Sequence, residues 1–526
     1  MDNPSLPALP ATSAPRCAPP DEGQDHVWDV LIVGAGPSGI GLANLLGEAG
    51  LSVLLIDRHP GVLQIPRAVH LDGETMRVIQ SMGLAQAAMP VLRPGHSMHW
   101  VNAAGETLLV RLGLVGLGSQ GWHNDYYFHQ PDLEAVLRQG LARYPNVRLR
   151  ERLELRGLTQ DADGVEAHAW DLDLAAPLRL RARWLVGCDG ARSTVRRLID
   201  ADEFEDLGDA HTWLVVDGVL NHPLDLPEHT VQHCDPARPA TSIYVHPLRR
   251  RWEIMLRPGE DAQAMTEPER IWPLLARWVK PTQARLERAS AYVFHARVAR
   301  RWQDGRVLLA GDAAHQTPPF LGQGLCAAMR DIANLGWKLA QAVTLGASQA
   351  GRGEALLATY APERIPHVRE FIALAVQVGE VIQELDPARA AERDHRLKAE
   401  GLQFPFPTPT LGPGLHRAGE SDAAQGTGQV FLQHTGPDGR WLDDVIGARW
   451  ALLLRRGVAL PPDAERAAQA LGAAVLADGG DRIDAWLAER ALAAVLLRPD
   501  RYVYAGGAEA ADLPPLLERL QEALGR

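Results

Sequence analysis

Six residues, Gly34-Ala35-Gly36-Pro37-Ser38-Gly39, restrict the fold of this chain more than any other stretch, because they join a short apolar run to a helical pattern. In VWDVLIVGAGPSGIGLANLLGEAGLSVLLIDR (27–58) an apolar run, a Gly-rich turn, a helical period and a second apolar run follow one another. That order predicts a βαβ unit of a parallel sheet. The glycine spacing is that of a dinucleotide fingerprint: Gly34 permits the tight turn, Gly36 lets backbone N–H groups approach a pyrophosphate, and Gly39 lets helix and strand pack closely. Pro37 and Ser38 open the helix, whose N-terminus supplies partial positive charge for an anion. The second strand ends at Asp57-Arg58, where an acid is expected to bind ribose hydroxyls. NAD and FAD share the fingerprint, so the choice between them rests on later residues.

A chain of 526 residues is too long for one ordinary core, and two or three domains are expected. Residues 1–26, crowded with Pro and Ala, read as a disordered tail. Strand-like pieces at 182–190 and 305–312 would join the first parallel sheet. Pieces at 213–220, 241–247 and 252–258 are spaced like antiparallel strands of an interleaved second sheet, drawn mainly from 91–125 and 201–300. Helical patterns run from 331 to about 399. A Pro-rich linker over 401–414 then leads to a small α/β unit over 415–526.

Charge and cysteine usage exclude several classes. With 53 Lys plus Arg against 65 Asp plus Glu the formal charge is -12, and no basic run tracks phosphates, so nucleic acid is not expected as a partner. Cys17, Cys188, Cys234 and Cys326 stand far apart with no CxxC, which argues against a disulfide scaffold, a zinc site or a dithiol centre. No metal is expected. No apolar run approaches the roughly 20 residues that span a bilayer, and the N-terminus lacks a secretory pattern. A cytoplasmic location is expected, and a homo-oligomer stays open.

Two further motifs, LVGCDGARSTVRR (185–197) and VLLAGDAAHQTPPFLGQG (307–324), each place an Asp beside a Gly at a strand end. Together with the fingerprint they resemble the three-motif pattern of the FAD-dependent aromatic hydroxylases, the single-component flavoprotein monooxygenases. IPRAVHLDGETMRVIQSMGL (65–84), YYFHQPDLEAVLRQGL (126–141) and MRDIANLGWKLA (329–340) resemble the 3-(3-hydroxyphenyl)propionate hydroxylase branch of the phenol hydroxylase group. The resemblance implies an α/β fold: a Rossmann-like FAD-binding domain over 27–400, interleaved with an antiparallel-sheet substrate domain, then a helical segment and a C-terminal thioredoxin-like domain without CxxC.

It also implies a chemistry. NADH or NADPH, bound transiently, reduces FAD; oxygen forms a flavin C4a-hydroperoxide, which hydroxylates a phenolic substrate. Asp312, after Gly311, would bond the ribityl hydroxyls. The N–H groups of Leu325 and Cys326, at the start of a helix near Gly324, would face flavin N1 and O2. Cys326 stands where some members have Asn, a tolerated difference because the contact is through backbone. The carbonyl of Pro319 would face the substrate, and Gly322 and Gly324 would let the ring come close.

Single residues keep rival readings. His70 could relay the phenolic proton or be structural. Arg67 and Gln130 resemble cofactor contacts, Pro131 and Asp132 begin a helix, and Asp189 could bind pyrophosphate or only shape a turn. His315 reads as structural. Arg249-Arg250-Arg251 reads as a solvated hairpin turn more than as an anion site. Rival functions are a flavin disulfide reductase, which the missing CxxC opposes, a non-catalytic flavoprotein, and a hydroxylase of polycyclic natural products.

Overall fold

A computed structural model describes residues 26–63, 67–95, 97–112, 116–346, 349–400, 408–416, 425–436 and 438–524. The expected tail (1–26) lies almost wholly outside these residues, as does the first part of the Pro-rich stretch.

The βαβ unit forms as its periodicity requires. Strand Val27–Val33, helix Pro37–Glu48 and strand Val53–Asp57 follow in order. Val30, Leu31 and Ile32 have no exposed surface, as befits a parallel strand covered on both faces. Each such side chain contributes about 1.5–3 kcal/mol on burial. Strand Ala176–Gly187 pairs in parallel with Val27–Val33 on one side and with Val307–Leu309 on the other. Val53–Asp57 pairs in parallel with Val147–Glu151. The ends of these strands therefore bring the 34–39, 188–190 and 310–313 turns to one edge of the sheet.

The second sheet has eight strands, in the order 315–316, 284–299, 204–220, 249–255, 240–246, 230–234, 97–102, 107–112. All its pairings are antiparallel save one, Thr230–Cys234 beside Ser97–Asn102, which runs parallel. One face, with Leu214, Val216, Trp252 and Ile254, packs on the Pro268–Leu275 helix. The opposite face, with Trp213 and Met255, packs on Phe320 and Leu321. Not all of 91–125 joins this sheet: Leu92–Pro94 and Asp125–Phe128 form a separate small sheet with His70–Asp72. The reason is that Asp125–Phe128 finds its partners in the segment carrying His70.

Helices 324–345, 350–357, 360–383 and 387–400 occupy the expected helical region. Beyond them, strands and helices alternate as βαβαββα, with sheet order 474–476, 451–454, 494–497, 503–507. Its first two strands are parallel and the later pairings antiparallel.

Candidate active site

The fingerprint turn is shaped by contacts that need glycine. Gly34 takes φ +106°, and a Cβ there would lie 2.4 Å from the carbonyl oxygen of Cys188. A Cβ on Gly39 would stand 1.9 Å from the oxygen of Gly34, so helix and strand touch through backbone. At Gly36, by contrast, a Cβ would meet nothing within 4 Å. That open approach, before a helix with Pro37 in its first turn and no side-chain cap, suits an anionic group. Asp57 ends its strand beside this turn; it accepts from the N–H groups of Ala35 and His59, each at 2.7 Å. Arg58 is exposed, and its Nε bonds His59 Nε2 at 3.1 Å. Ser38 packs under Gly311, where an added Cβ would meet its Oγ at 2.7 Å.

The second turn follows strand Val307–Leu309. Gly311, at φ +63°, donates its N–H to Asp331 Oδ2 (3.1 Å). Asp312 is half-buried and has no hydrogen-bond partner among the described residues. His315 is buried against Asp331 at 2.7 Å, and Arg364 holds the other carboxylate oxygen at 2.9 Å. Its structural reading stands. Pro319–Leu321 makes one 3₁₀ turn, Gly322 closes it at φ +64°, and the Gly324–Leu345 helix begins. Ala327 donates to Gln323, which leaves the N–H groups of Gly324, Leu325 and Cys326 without intrahelical partners. A Cβ on Gly324 would meet nothing within 4 Å. Burial pushes the Cys326 thiol up, and its sulfur lies 3.7 Å from the Gly322 carbonyl, so it is an apolar filler here.

Five expectations change. His70 does not offer a free nitrogen: Nδ1 contacts the Gly322 carbonyl at 3.1 Å and Nε2 contacts Asp125 at 2.7 Å. Arg111 also bonds Asp125, and Tyr127 packs edge-on against the imidazole. Burial pushes the Asp125 carboxyl up, but Arg111 and His70 outweigh it and hold the group well below the usual carboxylate range. His70 is thus a brace between this carboxylate and the 322 turn rather than a relay. Gly322 likewise makes room for His70, whose Nδ1 an added Cβ would meet at 2.7 Å, not for an incoming ring.

Gln130 does not present its amide outward. Its Oε1 accepts from the N–H groups of Arg67 and Ala68, each at 2.7 Å, and its Nε2 donates to Glu134 at 2.6 Å. It fixes the backbone that leads to His70, while the Arg67 side chain remains exposed. Asp189 is spent on capping the Thr194–Leu198 helix, accepting from Ser193 Oγ (2.5 Å) and from the N–H groups of Thr194 (2.7 Å) and Val195 (3.1 Å). The solvated-turn reading fails for two of three arginines. Arg250 and Arg251 lie buried in strand Arg249–Met255, and Arg251 grips Asp217 at 2.7 and 3.2 Å and the Arg67 carbonyl at 2.7 Å.

Sequence reasoning missed Arg111, Asp125, Asp217, Gln323 and Arg330. Arg330 bonds Asp72 (2.5 Å), Glu74 (2.6 Å) and Gln323 (3.2 Å), tying the start of the long helix to the 70–81 segment. The only sequence signal for these was charge inside otherwise apolar strands and helices, as in NDYYF and AAMRD. Among the described residues no group of His, Cys, Asp or Glu is disposed to hold a metal ion.

One open glycine turn, one carboxylate without a partner among the described residues and one set of helix N–H groups without intrahelical partners are thus available to a ligand. The FAD binding domain family matches residues 27–375, and the HcaD C-terminal domain family matches residues 455–523. The chain belongs to the FAD-binding aromatic-ring hydroxylases. It is 34% identical, over 96% of its length and 97% of the relative's, to a protein of Rhodococcus jostii (strain RHA1) named probable NADH-specific resorcinol 4-hydroxylase. It is also 34% identical, over 91% of its length and 92% of the relative's, to a 3-(3-hydroxy-phenyl)propionate/3-hydroxycinnamic acid hydroxylase of Escherichia coli O157:H7. Among solved structures it resembles the flavin-dependent monooxygenase PieE in complex with FAD and substrate (TM-score 0.77, 23% identity, 95% of this chain and 99% of that one). It also resembles aklavinone-11 hydroxylase with FAD and aklavinone (TM-score 0.76, 25% identity, 95% and 100%). This hydroxylase is an FAD-dependent aromatic-ring monooxygenase. Among the described residues no helix is long and apolar enough to cross a membrane.

Proposed function

We propose that this hydroxylase inserts one oxygen atom into a single-ring phenol that carries a second oxygen function, of the resorcinol or 3-(3-hydroxyphenyl)propionate class, with NADH as reductant. The observation that carries the reading is the stretch from Asp312 to Cys326, which holds a carboxylate without a partner among the described residues, a proline turn, helix N–H groups without intrahelical partners, and open space at Gly324. The 34% relatives are named for resorcinol and for 3-(3-hydroxy-phenyl)propionate, which favours a single-ring phenol as substrate.

When bound, FAD supplies both hydride acceptance from the nicotinamide and the transfer of oxygen to the ring. The residues of this chain do the rest. The open backbone at Gly36 and the helix beginning at Pro37 would hold the pyrophosphate, Asp57 the ribose, and Asp312 the ribityl hydroxyls. The N–H groups of Leu325 and Cys326 would hold the ring where negative charge gathers on reduction. The Pro319–Leu321 turn and the inner face of the second sheet would enclose the substrate and exclude water. We read the C-terminal unit as thioredoxin-like, on its βαβαββα order, and as structural, because the last cysteine in the chain is Cys326. A test is NADH oxidation by the purified holoenzyme with resorcinol, 3-(3-hydroxyphenyl)propionate or a polycyclic phenol, with product analysed in each case. Product from either single-ring phenol is expected; product from the polycycle alone would refute the reading.

A further inference from the structure

We propose that Glu253 takes the proton of the substrate's phenolic hydroxyl, an assignment that rests on the phenol-hydroxylase reading above. On strand Arg249–Met255 the register sets Met255 opposite Trp213, Glu253 opposite Val215 and Arg251 opposite Asp217. Residues two apart share a face, so these three pairs point the same way. Both outer pairs are pinned. Trp213 packs edge-on against Phe320 of the proline turn, with 5.4 Å between ring centroids. Arg251 bonds the carbonyl of Arg67, in the segment that enters His70. The Glu253 pair lies between these anchors and faces the space they bound. Its other cross-strand neighbour, Thr241, bonds Gln232, whose Nε2 reaches the Phe320 carbonyl at 3.4 Å.

In that space Glu253 has no hydrogen-bond donor among the described residues, although its side chain is only 8% exposed. The nearest cation, Arg251, is 3.9 Å away and already bidentate on Asp217. A largely buried carboxylate without a donor is costly, and an arriving hydroxyl supplies the donor. The charged or titratable groups facing it are Arg251 on its own strand, Asp217 on the next, and Arg288 and Tyr292 on the strand beyond; Thr241, on the other side, is neutral. Burial pushes the Glu253 carboxyl up to about 6, so the group is ionised at neutral pH yet able to hold a proton. In the transfer the phenolic O–H bond breaks and an O–H bond forms on the Glu253 carboxylate. The electron pair stays on the phenolate oxygen and enriches the ring ortho and para to it. His70 cannot serve, since both its nitrogens are engaged.

The test compares wild-type holoenzyme with Glu253→Gln and Glu253→Asp, measuring product per NADH with resorcinol and with 3-(3-hydroxyphenyl)propionate from mildly acid to mildly alkaline pH. Wild-type hydroxylation is expected to rise through an acid limb near pH 6, set by ionisation of Glu253. Glu253→Gln should lose ~10²–10⁴-fold in rate and lose the limb, with partial recovery in Glu253→Asp. A merely structural role would not move the limb. A Gln variant within a few-fold of wild type, or a wild-type profile flat through pH 6, overturns the proposal. If Glu253→Gln fails to retain FAD, the wild-type profile and the Asp variant decide. A wild-type enzyme that hydroxylates neither phenol overturns the functional reading and this assignment together, a result distinct from two equally active proteins.

Discussion

Glycines 36 and 39 lie three residues apart in one turn, yet the space around them assigns them different costs. A Cβ at position 36 meets nothing, so Gly36→Val should fold with an unchanged unfolding temperature as apoprotein while its FAD dissociation constant rises roughly tenfold or more. A Cβ at position 39 would stand 1.9 Å from a carbonyl oxygen, so Gly39→Ala should cost about 1–3 kcal/mol in unfolding free energy before any cofactor is added. Thermal melts and flavin titration separate the two outcomes; equal FAD affinity in Gly36→Val would remove the pyrophosphate from this turn. Charge gives a second residue-scale expectation. Because the folded Asp125 carboxyl is held below its ordinary 3.8, its stabilising effect is complete above that value and is lost as pH falls from there through the lower folded value. Asp125→Asn leaves the Arg111 guanidinium buried without its counter-charge, at a cost of about 3–5 kcal/mol, and should flatten the acid side of the stability profile seen in urea titrations.

The element proposed to hold the flavin ring is the turn between Gly311 and the long helix, and its two later glycines test that role. Gly322→Ala must drive a Cβ into His70 and hold alanine at φ +64°, a strain of about 1–3 kcal/mol, so the turn shifts and peroxide released per NADH should rise. At Gly324 a Cβ would meet nothing within 4 Å, so Gly324→Val should leave stability nearly unchanged while crowding the flavin and also raising peroxide. An unchanged ratio of product to NADH in both variants would mean that this turn does not hold the ring. The turn itself was legible in sequence, because strand, Gly-Asp and Pro-Pro-Phe-Leu-Gly-Gln-Gly are local signals that follow one another along the chain. The partners of the turn were not. His70 meets Asp125 across 55 residues, Arg251 meets Arg67 across 184, and Arg330 meets Asp72 across 258. Such pairings come from sheet register and helix docking, which leave no periodic trace. Gln130 and Asp189 show the converse: each occupies a recognisable motif, yet its polar atoms are spent on nearby backbone. Local patterns located the elements and the cofactor turn, whereas long-range pairing decided which polar side chains remain free to meet a ligand.

At the scale of the whole molecule the C-terminal unit is bound to the flavin helix by buried charge rather than by a redox centre. Asp443 pairs with Arg77 at 2.8 Å and with Arg501 at 3.1 Å. Glu363 receives Lys338 and Arg498, each at 2.7 Å, and burial pushes the Lys338 amine down to about 8. Tyr502 donates to Glu74 at 2.6 Å; Glu74 holds Arg330, and Arg330 holds Gln323 at the start of the helix whose N–H groups face the flavin site. Removing the unit would strip partners from Arg77, Glu74 and Glu363 and expose Leu356, which packs in the same apolar cluster as Trp450 and Leu452. A chain ending near residue 416 should therefore aggregate or lose FAD. The point variant is the sharper experiment, because it leaves the apolar contact intact. Asp443→Ala strands two guanidinium groups in a dry interface, so it should cost about 3–5 kcal/mol, with FAD release and unfolding shifting down in temperature together. Tyr502→Phe removes the hydrogen bond to the Glu74 carboxylate together with the 3.2 Å contact to His367 Nε2, and should cost about 1.5–3 kcal/mol. Calorimetry with flavin fluorescence followed in the same melt distinguishes the cases. Flavin release at the wild-type temperature in Asp443→Ala, with only a separate low-temperature transition added, would show that the C-terminal unit melts alone and lends the flavin site no support.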